Sequence, residues 1–181
     1  MVQRETCVVA DTPAFLTLRR NRDEATRVEQ WVRRVAVTLL ALFLLAGLLN
    51  VFGQRPDTVT AATPAASLKL YSPSRVRSGL IFEARFTITA HEALKNATLV
   101  LDPGWLEGMT MNTIEPSPIG EGSRDGKLVL ELGHIRKGSK YILFIQLQVN
   151  PTNVGRRSQD VALYDGETLL STIDRTITIF P

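Results

Sequence analysis

Residues 141–149, with the sequence YILFIQLQV, place apolar side chains at every second position and set Gln146 and Gln148 on the opposite face. This period of two predicts a β-strand with one face in a hydrophobic core. The same alternation occurs upstream, where four apolar residues are separated by charged or hydroxyl-bearing residues: Phe82, Ala84, Phe86 and Ile88. The chain is therefore expected to build its core from β-strands.

Further short strands are predicted on both sides of these two. Their apolar positions fall at residues 68–70, 99–101, 109–113, 128–132, 159–164, 168–170 and 173–180. Asp165-Gly166 is typical of a tight hairpin turn, whereas the Pro, Gly and Ser of residues 117–126 indicate a loop. Seven or more short strands with regular turns predict an all-β fold, an immunoglobulin-like antiparallel β-sandwich.

An apolar run precedes the strands at residues 35–52, VAVTLLALFLLAGLLNVF, and holds no charged residue. As a helix, these residues span roughly 27 Å, close to the thickness of a bilayer's hydrocarbon core. A cleaved signal peptide is the alternative, but its apolar region is shorter and lies nearer the N-terminus. We expect a single retained transmembrane helix.

Four segments follow from these patterns. Residues 1–21 are expected to be a disordered tail and residues 22–53 a juxtamembrane and transmembrane helix, since Asn21 and Glu24 resemble a capping box. Residues 54–66, rich in Thr, Ala and Pro, are expected to form a stalk. Residues 67–181 are expected to form the sandwich.

The distribution of charge predicts the topology. The basic residues close to the N-terminal side of the apolar run are Arg19, Arg20, Arg22, Arg27, Arg33 and Arg34, whereas only Arg55 and Lys69 follow it closely. The positive-inside rule places the N-terminus in the cytoplasm and the sandwich outside the cell membrane. Residues 57–181 carry thirteen basic and thirteen acidic residues, and this neutrality argues against a nucleic-acid partner.

One family resemblance is carried by two segments. Residues 101–109, LDPGWLEGM, are followed by residues 128–149, which contain LGHIRKGS before the long alternating strand. This pattern of glycines and alternation resembles the DUF11/CARDB-type group of bacterial and archaeal surface domains. The resemblance implies an immunoglobulin-like sandwich with a structural or binding role at a surface, and it implies no catalytic residues.

The sequence offers no recognisable reaction chemistry. His91 and His134 lie in separate predicted turns, and the single cysteine, Cys7, is in the tail. Ser139 lies close to His134, but the strand-to-helix elbow that exposes a nucleophilic serine is missing. We therefore expect no enzyme activity, no catalytic or metal-binding residues and no cofactor.

Five residues are candidates for partner binding. Trp105 and Leu106 follow a predicted turn and would suit an apolar partner surface, although Trp105 could instead cap one end of the core. Arg156 and Arg157 could meet acidic polymer or lipid headgroups, with Arg75 and Arg77 as further cations, or could simply be solvated. Asn50, near the outer end of the apolar run, could bond to a partner helix or to interfacial water.

These observations support three function hypotheses. The first is a non-enzymatic single-pass accessory protein whose outer sandwich binds or supports an integral membrane-protein complex or an envelope component. The second is an envelope-polymer or carbohydrate-binding module, which needs exposed aromatic side chains on one strand face. The third, an enzyme of unknown type, would need a pocket with perturbed titratable groups.

Overall fold

The computed structural model of the protein describes residues 27–51 and 53–181. The chain divides between Leu49 and Asn50 into two compact units. The first described element is the helix α1, Arg27–Leu48. The tail expected at residues 1–21 and the predicted helix start at residues 22–26 lie outside the described residues.

The helix α1 presents its apolar side chains to its surroundings, as Leu39, Leu42 and Leu44 show by their exposed fractions of 56–62%. In the described part of the chain, α1 is the one helix long and apolar enough to cross a membrane. A helix with apolar residues on all sides is suited to lipid contact and is not stabilised by water. The predicted apolar helix is thus present, and it ends earlier than expected.

Asn50 lies beyond the end of α1. Its backbone has a φ of 54°, in the left-handed region that asparagine tolerates and that commonly ends a helix. Its side-chain amide donates to the carbonyl of Gln54 at 3.4 Å. The expectation that Asn50 forms part of the transmembrane helix is therefore wrong.

Twelve strands follow within the described residues 53–181. They are β1 Arg55–Ala62, β2 Ala66–Arg77, β3 Ile81–Ala90, β4 Leu94–Leu101, β5 Met109–Glu115, β6 Gly120–Arg124, β7 Lys127–Ile135, β8 Lys140–Val149, β9 Gly155–Ser158, β10 Val161–Asp165, β11 Thr168–Ile173 and β12 Thr176–Phe180. The strand β6 falls within the loop expected at residues 117–126. Its Gly and Ser residues give no apolar alternation, because β6 is an edge strand exposed to solvent.

The strands form two sheets packed face to face. One has the order β5-β8-β3-β2-β12-β9, with β1 also paired to β2, and the other has the order β11-β10-β4-β7-β6. The paired strands run antiparallel, except that β12 runs parallel to β2. This arrangement is an immunoglobulin-like sandwich, as the sequence predicted, with one parallel pair that it did not.

The strand β1 occupies residues that were expected to be a stalk. It pairs with β2 along its whole length, from Arg55 opposite Arg75 to Ala62 opposite Ser67. The stalk prediction is therefore wrong for residues 55–62. Thr, Ala and Pro give no clear apolar period, and this strand is stabilised by backbone pairing and by partial burial of Val59 and Ala61.

The strand β2 changes partners near its middle. It pairs with β3 as far as Tyr71 and with β12 from Arg75 onward. Between these points, the buried Arg175 donates from Nη2 to the backbone carbonyls of Ser72, at 2.9 Å, and Pro73. Burial lowers the pKa of Arg175, and the charge of Asp57 partly offsets this effect. The guanidinium of Arg175 thus supplies hydrogen bonds to two carbonyls of β2 that lie between its ladder with β3 and its ladder with β12.

Candidate functional site

Trp105, a candidate for partner binding, is completely buried. It ends the short 3-10 turn Pro103–Trp105, and its ring centroid lies 5.4 Å from that of Phe86. Its indole Nε1 donates to the carbonyl of Asp160 at 3.3 Å. Trp105 is a core residue that closes one side of the sandwich, so the prediction that it contacts a partner is wrong.

The turn that carries Trp105 is held by its neighbours. Asp102 accepts hydrogen bonds from Lys127 Nζ at 2.8 Å and from Ser158 Oγ at 2.9 Å. The bond from Lys127 is the main reason that the pKa of Asp102 is lowered, and the same bond raises the pKa of Lys127. A Cβ atom on Gly104 would lie 1.9 Å from the carbonyl oxygen of Ser158, so only glycine fits there.

Leu106, the next residue, lies at an end of the sandwich where three connections meet. We call the four exposed apolar residues there the loop-end cluster: Leu80, Ile81, Leu106 and Val154, which are 40–48% exposed. Backbone hydrogen bonds join the connections, from Val149 N to the carbonyl of Leu80 and from Asn150 N to that of Gly108. The structure therefore brings Leu106 together with apolar residues distant from it in sequence.

Arg156 belongs to a row of arginines beside the loop-end cluster. Arg75 is the ladder partner of both Arg55 on β1 and Thr178 on β12, and Thr178 is the partner of Arg156 on β9. Directly opposite residues share one face of a sheet. We call Arg55, Arg75 and Arg156 the arginine row. In the described part of the chain, none of the three has a carboxylate within 4.0 Å.

Arg157 has a different environment from Arg156. Its Nη2 donates to Oδ1 of the buried Asn153 at 3.0 Å, and its Nε lies 3.6 Å from a carboxylate oxygen of Glu107. Asn153 in turn donates to the carbonyls of Glu107 and Gly108. These contacts tie the loop before β9 to the loop before β5. Arg157 is therefore engaged within the domain, and Arg156 is the available cation of the pair.

A groove of about 470 Å³ lies on the outer face of the larger sheet. We call it the outer groove, and nine residues of β1, β2, β3 and β8 line it: Thr58, Thr60, Ser67, Lys69, Tyr71, Arg85, Thr87, Thr89 and Lys140. Three of these residues are cations, five bear aliphatic hydroxyl groups, and none is acidic. Such a lining offers charge-assisted hydrogen bonds to an anionic ligand with polar substituents.

An aromatic–cation–aromatic stack borders the outer groove. The ladder sets Tyr71, Arg85 and Phe144 side by side on neighbouring strands. The guanidinium of Arg85 lies 5.0 Å from the ring centroid of Tyr71 and 5.5 Å from that of Phe144. These contacts hold Arg85 in place, because a cation is attracted to the face of an aromatic ring at this distance. Its only ion-pair partner within the described residues is Glu83, at 3.9 Å.

The sequence reasoning missed the outer groove, although its residues were visible. Alternate polar positions of β2 and β3 supply six of the nine lining residues. A period of two shows that these residues share a solvent face, but only strand register shows which of them are neighbours. The stack of Tyr71, Arg85 and Phe144 depends on the same register.

The described residues contain no group of three or more His, Cys, Asp or Glu side chains placed to hold a metal ion.

The pKa of Tyr141 is raised by burial. This tyrosine packs against the core and does not line the outer groove. The groove residues can hold a ligand through the charge of the cations, hydrogen bonds from the hydroxyl groups and stacking on Tyr71.

No model of a known protein family matches the sequence, and no curated protein sequence matches it either. Among solved structures, the fold is similar to that of the CARDB domain of a Pyrococcus furiosus protein, at 11% identity and a TM-score of 0.38; the match covers 71% of this chain and 96% of that one. The resemblance noted in the sequence is thus found in the comparison of structures.

Two further solved structures are similar at the same level. The chitin-binding domain of a hyperthermophilic chitinase from Pyrococcus furiosus is 14% identical, with a TM-score of 0.38, and the match covers 62% of this chain and 98% of that one. CaCohA2 from Clostridium acetobutylicum is 16% identical, with a TM-score of 0.39, and the match covers 61% and 89%. The assignment of the fold rests on the strand order described above.

Proposed function

We propose that this protein is a non-enzymatic, single-pass membrane protein whose extracytoplasmic sandwich binds an anionic polymer of the cell envelope in the outer groove. The observation that carries the proposal is the composition of that groove: three cations, five aliphatic hydroxyl groups and no carboxylate among its lining residues. This unites two of the sequence-based hypotheses, the membrane-anchored binding protein and the envelope-polymer module.

The groove suits a polymer better than a small metabolite. It is a surface groove that crosses four strands, and its cations come from three of them: Lys69 on β2, Arg85 on β3 and Lys140 on β8. Acidic sugars present carboxylates for the cations and hydroxyl groups for the threonines. Tyr71, which is 37% exposed, offers a ring on which a sugar can stack.

The membrane anchor is supported by α1, whose length and apolar surface fit a bilayer. The excess of arginine before the apolar run of residues 35–52 supports a cytoplasmic N-terminus and an outer sandwich. An integral membrane-protein partner stays a prediction of the sequence. Asn50, the side chain expected to reach such a partner's helix, lies past the end of α1.

The test is binding of the full chain, in detergent micelles, to immobilised alginate, a carboxylated polysaccharide. Replacing Arg85 by Gln removes the stacked cation, and replacing Lys69 and Lys140 by Gln removes the other two. A hydrogen bond to a charged group contributes about 1.5–3 kcal/mol, so each lost contact should weaken binding roughly tenfold or more. Neutral dextran should bind weakly to every variant.

The matched control is the double variant Lys95→Gln and Lys137→Gln. Both lysines are exposed and lie outside the groove, and their loss changes the net charge equally. Equal weakening by the control pair and the groove pair would show a general charge effect. That result, or alginate binding that survives Arg85→Gln unchanged, contradicts the proposed function.

A further inference from the structure

Within the sandwich, the loop-end cluster and the arginine row together have the composition of a membrane-contacting surface. The cluster exposes four large apolar side chains on three connections, and the row adds three arginines without a carboxylate partner. Arg77 adds a fourth cation, with its Nε donating to the carbonyl of Pro181. Apolar tips beside cations suit the boundary between anionic headgroups and lipid tails.

The positive charges of the arginine row are not neutralised by any carboxylate within 4.0 Å among the described residues. Arg55 and Arg75 are direct cross-strand partners, and like charges in that position destabilise a sheet. Glu107 is engaged by Arg157, and the charge of Asp57 acts on the buried Arg175. A phosphate group bound outside the sheet would compensate both arginines without any change of fold.

The connection between α1 and β1 is short. Six residues, 49–54, separate the end of α1 from Arg55, and a chain of that length spans at most about 25 Å. Gln54, the last of them, donates from Nε2 to the carbonyl of Ile81 at 3.0 Å. The residue that leads into β1 is therefore bonded to a member of the loop-end cluster.

We propose that the loop-end cluster and the arginine row dock the sandwich onto anionic phospholipid headgroups of the bilayer that holds α1. This inference rests on the membrane anchor of the proposed function and is independent of the outer groove. Docking would hold the domain in one orientation at the membrane. The outer groove would then lie at a set height above the lipid surface.

The experiment uses the full chain with Cys7→Ser, reconstituted in nanodiscs of phosphatidylcholine with or without phosphatidylglycerol. An environment-sensitive fluorophore is attached at Val154→Cys, in the loop-end cluster. The control label is attached at Lys137→Cys, in the turn between β7 and β8 at the other end of the strands. Lipid-borne nitroxide measures the contact of each label with the bilayer.

We expect quenching of the label at residue 154, but not at residue 137, in nanodiscs that contain phosphatidylglycerol. An arginine near an anionic surface contributes a factor of about five, so Arg75→Gln with Arg156→Gln should lower the equilibrium constant for docking about thirtyfold. The pair Lys95→Gln and Lys137→Gln should leave quenching unchanged. Unchanged near-ultraviolet circular dichroism in each variant would show that the fold is retained.

High salt separates the outcomes. Screening should abolish quenching at residue 154, while α1 should keep the protein bound to the nanodiscs. Protein that co-elutes with nanodiscs in high salt but shows no quenching in low salt overturns docking and leaves the anchor intact. Protein released by high salt overturns both the anchor and this inference. Equal quenching with and without phosphatidylglycerol overturns the role of the arginines.

Discussion

Replacing Trp105 by Ala tests directly whether this residue belongs to the core. The side chain is completely buried, packs against Phe86 and donates one hydrogen bond to the carbonyl of Asp160. Truncation of a buried Trp or Phe to Ala typically costs about 3–5 kcal/mol, because apolar contacts are lost and a cavity remains. That is a large share of the roughly 5–15 kcal/mol that stabilises an ordinary domain.

A second variant separates packing from hydrogen bonding. Trp105→Phe keeps an aromatic ring beside Phe86 but removes the indole donor, so that the carbonyl of Asp160 keeps only its hydrogen bond from the backbone N–H of Asp102. The loss should be smaller than for Ala, about 1–3 kcal/mol, from the smaller ring and the lost indole hydrogen bond. At a few degrees per kcal/mol for a domain of this size, Trp105→Ala should lower the melting temperature by roughly 10–20 °C.

The assay is urea unfolding of residues 53–181, followed by far-ultraviolet circular dichroism. This fragment contains the whole buried core, which runs from Ala66 to Ile179. Its only tryptophan is Trp105, so the emission of the wild-type fragment should shift to the red on unfolding. A free energy of unfolding lowered by less than about 1 kcal/mol in Trp105→Ala would refute the assignment of Trp105 to the core.

Two further predictions concern Asp102 and β1. Asp102→Asn should lower the free energy of unfolding by about 1–2 kcal/mol at pH 7, since Lys127 is half exposed and solvent screens the pair. The folded pKa of Asp102 is lowered, so its contribution is present above the unfolded value near 3.9 and is lost as the pH falls through the folded value. The difference in free energy of unfolding between wild type and Asp102→Asn, measured by urea titration, should therefore be smaller at pH 2.5 than at pH 7. An equal difference at the two pH values would contradict this prediction. Removal of β1 should weaken the domain, because it exposes the edge of β2. Residues 63–181, which keep all of β2, should unfold at a lower urea concentration than residues 53–181, and equal midpoints would show that β1 adds no stability.

Strands with one buried face could be predicted from residue order alone. In β3 and β8, the neighbours of each residue along the chain already set which side chains face inward, because the pleat alternates them. The same local reasoning identified the turn at Asp165-Gly166, where Gly166 has a φ of 60°. It failed for β1 and β6, because a solvent-exposed or partly covered strand can form by backbone pairing without an apolar period.

The sequence by itself determined an apolar N-terminal helix, a β-sandwich, and the candidate residues Leu106 and Arg156 as surface groups. Only the tertiary structure decided that Trp105 is buried, that Asn50 lies past the helix, and that Arg157 is held by Asn153 and Glu107. The surfaces that carry our proposals were also decided at that level, since strand register and loop closure bring together residues as distant as Arg55 and Arg156. Periodicity specifies the face on which a residue lies, but the neighbours across a sheet depend on which strands pair and in which register.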